Sequence, residues 1–302
     1  MNKLKRLSLV LSLLLIIGVS SACAKNIQPN HDKQGNTQED NNSDKQDQTS
    51  KSSLEQIKEN GKIRIGVFSD KPPFGFVDID GENQGFDVFI ARRFAMDLLG
   101  DENAIDFVLV EAANRVEFLE TNKVDIILAN FTQTPERAEK VDFALPYMKV
   151  SLGVVSPDDA QIIDVGQLSG KKLIVNKGTT AEIFFEKNYP DIELLKYDQN
   201  TEAFSALTDG RGVALAHDNT LVLAWARETQ GFTVGITSIG EQDVIAPAVK
   251  KGNDDLLAWI NEEIRELGKE NFMHKAYDAT LKDVYGEDID PEMIVVEGGE
   301  LK

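Results

Sequence analysis

The residues best equipped for chemistry lie in three short stretches, each directly after an apolar, strand-like segment. Asn130-Phe131-Thr132-Gln133-Thr134-Pro135-Glu136-Arg137 follows the run VDIILA. Thr134 before Pro135 is the pattern of a helix cap with proline at the first helical position, which sets Arg137 in the first turn. The helix dipole favours an acid there, so a cation needs an anion of its own. A guanidinium grips a carboxylate through two parallel hydrogen bonds, and the Thr132 hydroxyl can add another. A solvated ion pair with Glu136, Glu139 or Asp142 is the alternative.

The second stretch, Val175-Asn176-Lys177-Gly178-Thr179-Thr180, joins a strand to a helix beginning near Ala181. Gly178 permits close backbone approach, and the amides after it point out of a helix N-terminus, an anion site that needs no charged side chain. Gly-Thr before a helix is equally ordinary capping chemistry. The third stretch is His217-Asp218-Asn219, after GVALA. Asp218 either caps the helix near Thr220 or turns its carboxylate toward an ammonium group. His217 has no identifiable nucleophile beside it, which argues against acid–base catalysis.

An α/β framework must position these residues. Residues 62–68, 107–110, 124–129, 172–175 and 212–216 read as strands. Residues 86–99, with Asp87 as a cap, 115–121, 181–188 and 220–228 read as helices. Such alternation predicts largely parallel sheets. The extended segments YMKVSLGVV (147–155) and VIAPAV (244–249) predict that the chain crosses to a second lobe and returns. The first lobe is then discontinuous, at 54–149 plus 243–286, with the second at 150–242. Helices at 254–270 and 271–285 pack after the return, and a cleft between lobes is where ligands concentrate. The acidic end, 287–302, contains Met293-Ile294-Val295-Val296 and is left unassigned.

Composition narrows the chemistry. At 302 residues the chain suits one large or two ordinary domains. A formal charge of −19 disfavours sequence-independent binding to nucleic acid, which depends on Lys and Arg. A single cysteine excludes a disulfide framework and a cysteine-rich zinc site. There is no nucleophile elbow, Walker loop or metal-spaced histidine pair, and no cofactor is expected.

The first 22 residues read as a secretory signal: Lys3, Lys5 and Arg6, an apolar run over 7–19, then Ser20, Ser21 and Ala22. Cys23 follows directly. Residues 24–53 hold one bulky apolar side chain, Ile27, and are expected to form a disordered tether. Ser20-Ser21-Ala22-Cys23 resembles a bacterial lipobox, which implies lipidation of Cys23. Ordinary signal cleavage beside an incidental cysteine is the alternative.

The order of motifs resembles the family 3 solute-binding proteins, the amino-acid receptors of bacterial ABC importers. GVFSDKPPFGF, GFDVFIARR, NFTQTPER, LPYMKVSLGVV and HDNTL carry the resemblance, over about residues 54–286. VEAANRVEFL, NKGTTAE, KYDQN and VIAPAVKKG are most similar to the cysteine-binding branch, beside receptors for aspartate, glutamate and cystine. The resemblance implies a two-lobed periplasmic-binding-protein-like fold of type II. It gives the ligand α-carboxylate to Arg137, helped by Thr132 and the amide of Thr180 next to Thr179. Asp218 then takes the α-ammonium, with the Asn130 carbonyl as second acceptor. Lys71 stands where the family often has an aromatic residue. Arg115 either contacts the carboxylate or pairs with Glu111 or Glu117. Phe68, Phe74 and Asn114 are candidates for the wall or for lobe core. The implied partners are a small amino acid (cysteine first; cystine, aspartate, glutamate or glutamine otherwise), the permease subunits, and the membrane through the lipid. A monomer on the extracytoplasmic face of the cell membrane is expected. A dehydratase-like enzyme on the same fold is the chief alternative class.

Overall fold

The computed structural model describes residues 51–287 and 289–301. The expected signal, Cys23 and residues 24–50 of the expected tether lie outside the described residues. Helix α1 (Ser53–Asn60) starts on a capping box, with the Ser52 hydroxyl accepting from Glu55 N and the Glu55 carboxylate accepting from Ser52 N.

The chain then forms β1 (Ile63–Val67) and a small three-stranded flap of β2 (Asp70–Lys71), β3 (Gly75–Val77) and β4 (Asn83–Gln84). Next come α2 (Phe86–Leu99), β5 (Ile105–Leu109), α3 (Arg115–Glu120), β6 (Ile126–Ile127), α4 (Pro135–Ala138) and β7 (Val141–Phe143). Strand β8 (Met148–Pro157) crosses to the second lobe, built from β9 (Lys172–Asn176), α5 (Thr180–Asn188), β10 (Glu193–Tyr197), α6 (Asn200–Thr208), β11 (Ala214–Asp218) and α7 (Asn219–Glu228). Strand β12 (Phe232–Ile245) returns to β13 (Ala248–Lys250), followed by α8 (Asp254–Lys269), α9 (Phe272–Thr280) and α10 (Lys282–Tyr285).

The first lobe's sheet has the order β5-β1-β6-β13-β7, and the second's β10-β9-β11-β8-β12. In each, three neighbouring strands run parallel: β5, β1 and β6 in one, β10, β9 and β11 in the other. The parallel centre explains the continuous apolar runs, because strands of that kind are buried on both faces, as consecutive Ile126 and Ile127 of β6 are. Helix α8 shows how the covering is encoded. Leu256, Ile260, Ile264 and Leu267 recur on one stripe, and all four are buried.

Three sequence expectations change. The extended segment 244–249 is two strands, divided at Ala246-Pro247. Proline cannot donate to a ladder, and here its carbonyl accepts from Ala144 N as the chain re-enters the first lobe. The helix expected over 271–285 is broken at Leu281 into α9 and α10. Asp87 does not cap α2. Gly85 holds the cap position, and the Asp87 side chain is fully buried.

The long strand β12 was not foreseen, because it is a half-exposed edge whose pairing with β8 shifts register three times. Residues Ile294 to Val296 are buried against the start of β8, where Lys149 N donates to Ile294 O and Val296 N to Tyr147 O. Asp70, in the first lobe's flap, accepts from Asn200 Nδ2 (3.0 Å) and Thr201 N (3.2 Å), at the start of α6 in the second.

Candidate functional site

The loops that follow the parallel strands of both sheets converge on one small cavity. Phe68 follows β1, Ala112 and Arg115 follow β5, and Asn130, Thr132 and Arg137 follow β6. From the other lobe come Thr179 and Thr180 after β9, with His217 and Asp218 at the end of β11; Lys71 completes the lining. Carboxyl ends of parallel strands are the usual place for a ligand in such sheets. The lobes are drawn together here, leaving about 10 Å³, room for roughly one water.

Thr134 caps α4 as expected, its hydroxyl accepting from Arg137 N. The solvated ion pair is not made: Asp142 takes Lys251, and Arg137 turns inward instead. Its Nη1 donates to Thr132 O (2.6 Å) and its Nη2 to Gly178 O across the cleft (2.9 Å). Arg115 is also buried, and it bonds neither Glu111 nor Glu117. It donates to the carbonyls of Ala112, Ala129 and Asn130 at 3.0 Å, and to Gly178 O at 3.3 Å. Both guanidinium groups lie against the Phe131 ring, at 4.4 Å for Arg115 and 4.8 Å for Arg137. Burial pulls Arg137 down to about 10, with Asp218 acting the other way; burial and Arg137 pull Arg115 down. Two buried cations satisfied by carbonyl oxygens, and not by carboxylates, form a strongly anion-seeking pair.

Asp218 supplies the opposite charge from the second lobe. Its Oδ2 accepts from Lys71 Nζ at 2.7 Å, and Lys71 also donates to Asn130 Oδ1 at 2.6 Å. Burial alone would push the Asp218 carboxyl up, but the Lys71 ammonium outweighs it and holds it well below the usual carboxylate range. Burial lowers Lys71, and Asp218 supports its charge. The pair is therefore an ionised bridge between lobes. His217 Nδ1 accepts from Asp218 N at 2.6 Å, which fixes the tautomer with hydrogen on Nε2. Burial, then Lys71, push its pKa down.

A further layer holds Asn130, which sits at φ +45°. Asn130 N donates to Asp87 Oδ2 at 2.8 Å, and Tyr147 OH donates to Asp87 Oδ1 at 2.7 Å. Burial pushes the Asp87 carboxyl up to about 7 against these hydrogen bonds. The signal for Asp87 was present in the sequence: it lies among Phe86, Val88, Ile90 and Ala91, on a helix face that is wholly buried.

Arg137, Asp218, Thr132, Asn130, Thr180, Thr179, Arg115 and Lys71 thus meet at one place, with Phe68 and His217. Phe74 does not line the cavity; it is fully buried in the first lobe's core, 5.8 Å from the Lys71 ammonium. Asn114 turns to Glu111. The free anion site expected of the amides after Gly178 is partly closed. Gly178 N donates to the chain's own Glu182, and Thr179 caps α5, accepting from Glu182 N and donating to Asn176 O. Gly178 still requires its glycine. It sits at φ +72°, and a Cβ there would lie 2.5 Å from Ala113 Cα across the cleft. Sequence reasoning missed the Lys71–Asp218 bridge, which joins residues 147 positions apart.

Two α/β lobes joined by paired crossing strands, closed over a small cleft with cations on one side and a carboxylate on the other, define a solute receptor of the two-lobed type II class. Residues 63–282 match the model of the bacterial extracellular solute-binding proteins, family 3, and the chain belongs to that family. Among solved structures, it is 60% identical to the cysteine-binding protein from Campylobacter jejuni, with a TM-score of 0.81, covering 82% of this chain and 99% of that one. It is likewise 60% identical to a solute receptor for L-cysteine of Neisseria gonorrhoeae, with a TM-score of 0.80, covering 81% and 99%. The ABC transporter glutamine-binding protein GlnH of Bacillus subtilis is 31% identical over 238 residues, 78% of this chain and 87% of its own.

Proposed function

We infer that this receptor captures free cysteine between its lobes and delivers it to the permease of an ABC importer. One observation carries the amino-acid reading: Arg137 and Asp218, of opposite charge and from opposite lobes, line the same buried cavity. A zwitterion in such a space must have both charges answered. In this reading Arg137 takes the α-carboxylate, with Arg115, Thr132 and the Thr180 amide around it. Asp218 takes the α-ammonium, with Asn130 as second acceptor. A ligand bridging the lobes binds the closed form better than an open one, and closure is the signal a permease reads. Cysteine is favoured because both relatives at 60% identity are named for it, against glutamine for a relative at 31%.

The reading is of a receptor and not an enzyme. Neither serine nor cysteine lines the cavity among the described residues, and His217 Nδ1 already accepts a backbone hydrogen bond. Lipidation at Cys23, followed by a tether, would hold a monomeric head at the outer face of the cell membrane. No helix of the described residues is long and apolar enough to cross a membrane.

A thermal-shift screen against the proteinogenic amino acids plus cystine tests the ligand. Cysteine is expected to give the largest shift; at a hundredfold excess over Kd a ligand adds about 2.7 kcal/mol. No shift with any amino acid overturns the reading. Labelled palmitate should enter the full chain in cells and be lost in Cys23→Ser.

A further inference from the structure

Lys71 has no role yet in amino-acid capture, although it is 1% exposed and central to the cleft. Its ammonium has two protein acceptors, Asp218 Oδ2 and Asn130 Oδ1. Asp218 is the carboxylate that an α-ammonium must also use. Once a ligand's ammonium shares that carboxylate, one negative charge serves two ammonium groups, and Lys71 has besides it only an amide oxygen and the rings of Phe68 and Phe74, at 5.3 and 5.8 Å. A buried ammonium without an anion is strongly unfavourable.

The surroundings supply no substitute. Arg115 on α3 and Arg137 on α4 add two more cations. His217 on β11 is kept neutral by burial, and Asp87 on α2 is engaged with Tyr147 and Asn130 N. A ligand's α-carboxylate answers one positive charge, and its ammonium occupies Asp218. A neutral side chain would leave Lys71 unanswered.

We propose that cysteine is held as its thiolate, the sulfur paired with the Lys71 ammonium, and that Lys71 thereby selects cysteine over serine. The S–H bond breaks heterolytically, the electron pair stays on sulfur, the proton passes to the buffer, and the ligand enters with a net charge of −1. This rests on the cysteine reading above.

The test uses the full chain carrying Cys23→Ser, so that the ligand holds the sole thiol. Calorimetry in buffers of different ionisation enthalpy near neutral pH should show about one more proton released with cysteine than with S-methylcysteine, since a free thiol titrates near about 8.5. Both complexes share every titrating group of the protein, Asp87 and His217 included, so the difference isolates the thiol. Cysteine affinity should rise about tenfold per pH unit below the free thiol's pKa, while that of S-methylcysteine stays flat. Ultraviolet difference spectra should show the thiolate band on binding. Lys71→Met should remove the band and the extra proton, and reduce a cysteine-over-serine preference of about a hundredfold to about tenfold or less. Cysteine bound with neither proton release nor thiolate band overturns the proposal, as does their persistence in Lys71→Met. The first three readouts need no change at Lys71, so misfolding of that variant leaves the test intact. If another amino acid binds and cysteine does not, the ligand reading itself has failed and this proposal with it.

Discussion

The two lobes bring different resources to the cleft. The first contributes three cations: Lys71 on β2, Arg115 at the start of α3 and Arg137 on α4, in segments that follow its parallel strands. The second contributes one carboxylate, Asp218, and one backbone oxygen, that of Gly178, shared by both arginines. Arg115 is held by three carbonyls of its own lobe, and Asn130 N by Asp87, whose other oxygen accepts from Tyr147 OH. The first lobe therefore holds a prearranged set of cations, and the second adds its carboxylate only where the lobes meet. Preorganisation on one side lowers the ordering cost of binding, while the divided charges make binding conditional on closure.

Removing the second lobe's charge should break this division most severely. Asp218→Asn is expected to abolish cysteine binding and to lower unfolding stability by about 3–5 kcal/mol, because Lys71 is left buried without its anion. The double variant Lys71→Met with Asp218→Leu should recover most of that stability and none of the binding. Chemical denaturation and calorimetry report the two effects separately. An Asp218→Asn chain as stable as wild type would mean that the ion pair carries no such weight.

Gly178→Ala strikes the meeting line and leaves both charge sets intact. The added methyl would contact Ala113 of the other lobe, in a backbone conformation that disfavours alanine. Affinity should fall by about tenfold or more, roughly the 1.4 kcal/mol of a tenfold change in binding. Small-angle scattering should show a more open molecule. Unchanged affinity would count against Gly178 as a closing contact.

Asp87→Asn probes the first lobe alone and should alter binding least. Its carboxyl is raised from 3.8 to about 7 by burial, so the folded state favours the protonated form. The stabilisation from that preference is complete below about pH 4 and is lost as pH rises toward about 7, at roughly 1.4 kcal/mol per pH unit. The asparagine variant should lack this component of the pH profile. Identical slopes for both chains between those limits would refute the assignment.

Much of the fold was legible because its signals are local. Helix α2 was expected at 86–99 and found there, and the Thr134-Pro135 cap formed as its residue types require. The joining of distant segments was harder to read. Position placed Arg137 in a first turn but did not separate a ligand carboxylate from Glu136 or Asp142. The two guanidinium groups found carbonyls instead, among them one from a loop more than forty residues further on. Lys71 drew notice only as a departure from an aromatic pattern, since its partner lies on another lobe's strand. Strand β12 gave no usable period, being an irregular edge with both polar and apolar positions half-exposed.

The bond from Asp70 to the start of α6 has a consequence in time. Gln199, at the cap position of that helix, makes no side-chain cap bond, so Thr201 N depends on an acceptor from the opposite lobe. Any separation of the lobes strips the helix end of that acceptor, and the amide proton then exchanges with solvent. Exchange at this one position is thus an unlabelled stopwatch for opening, and ligand occupancy slows it.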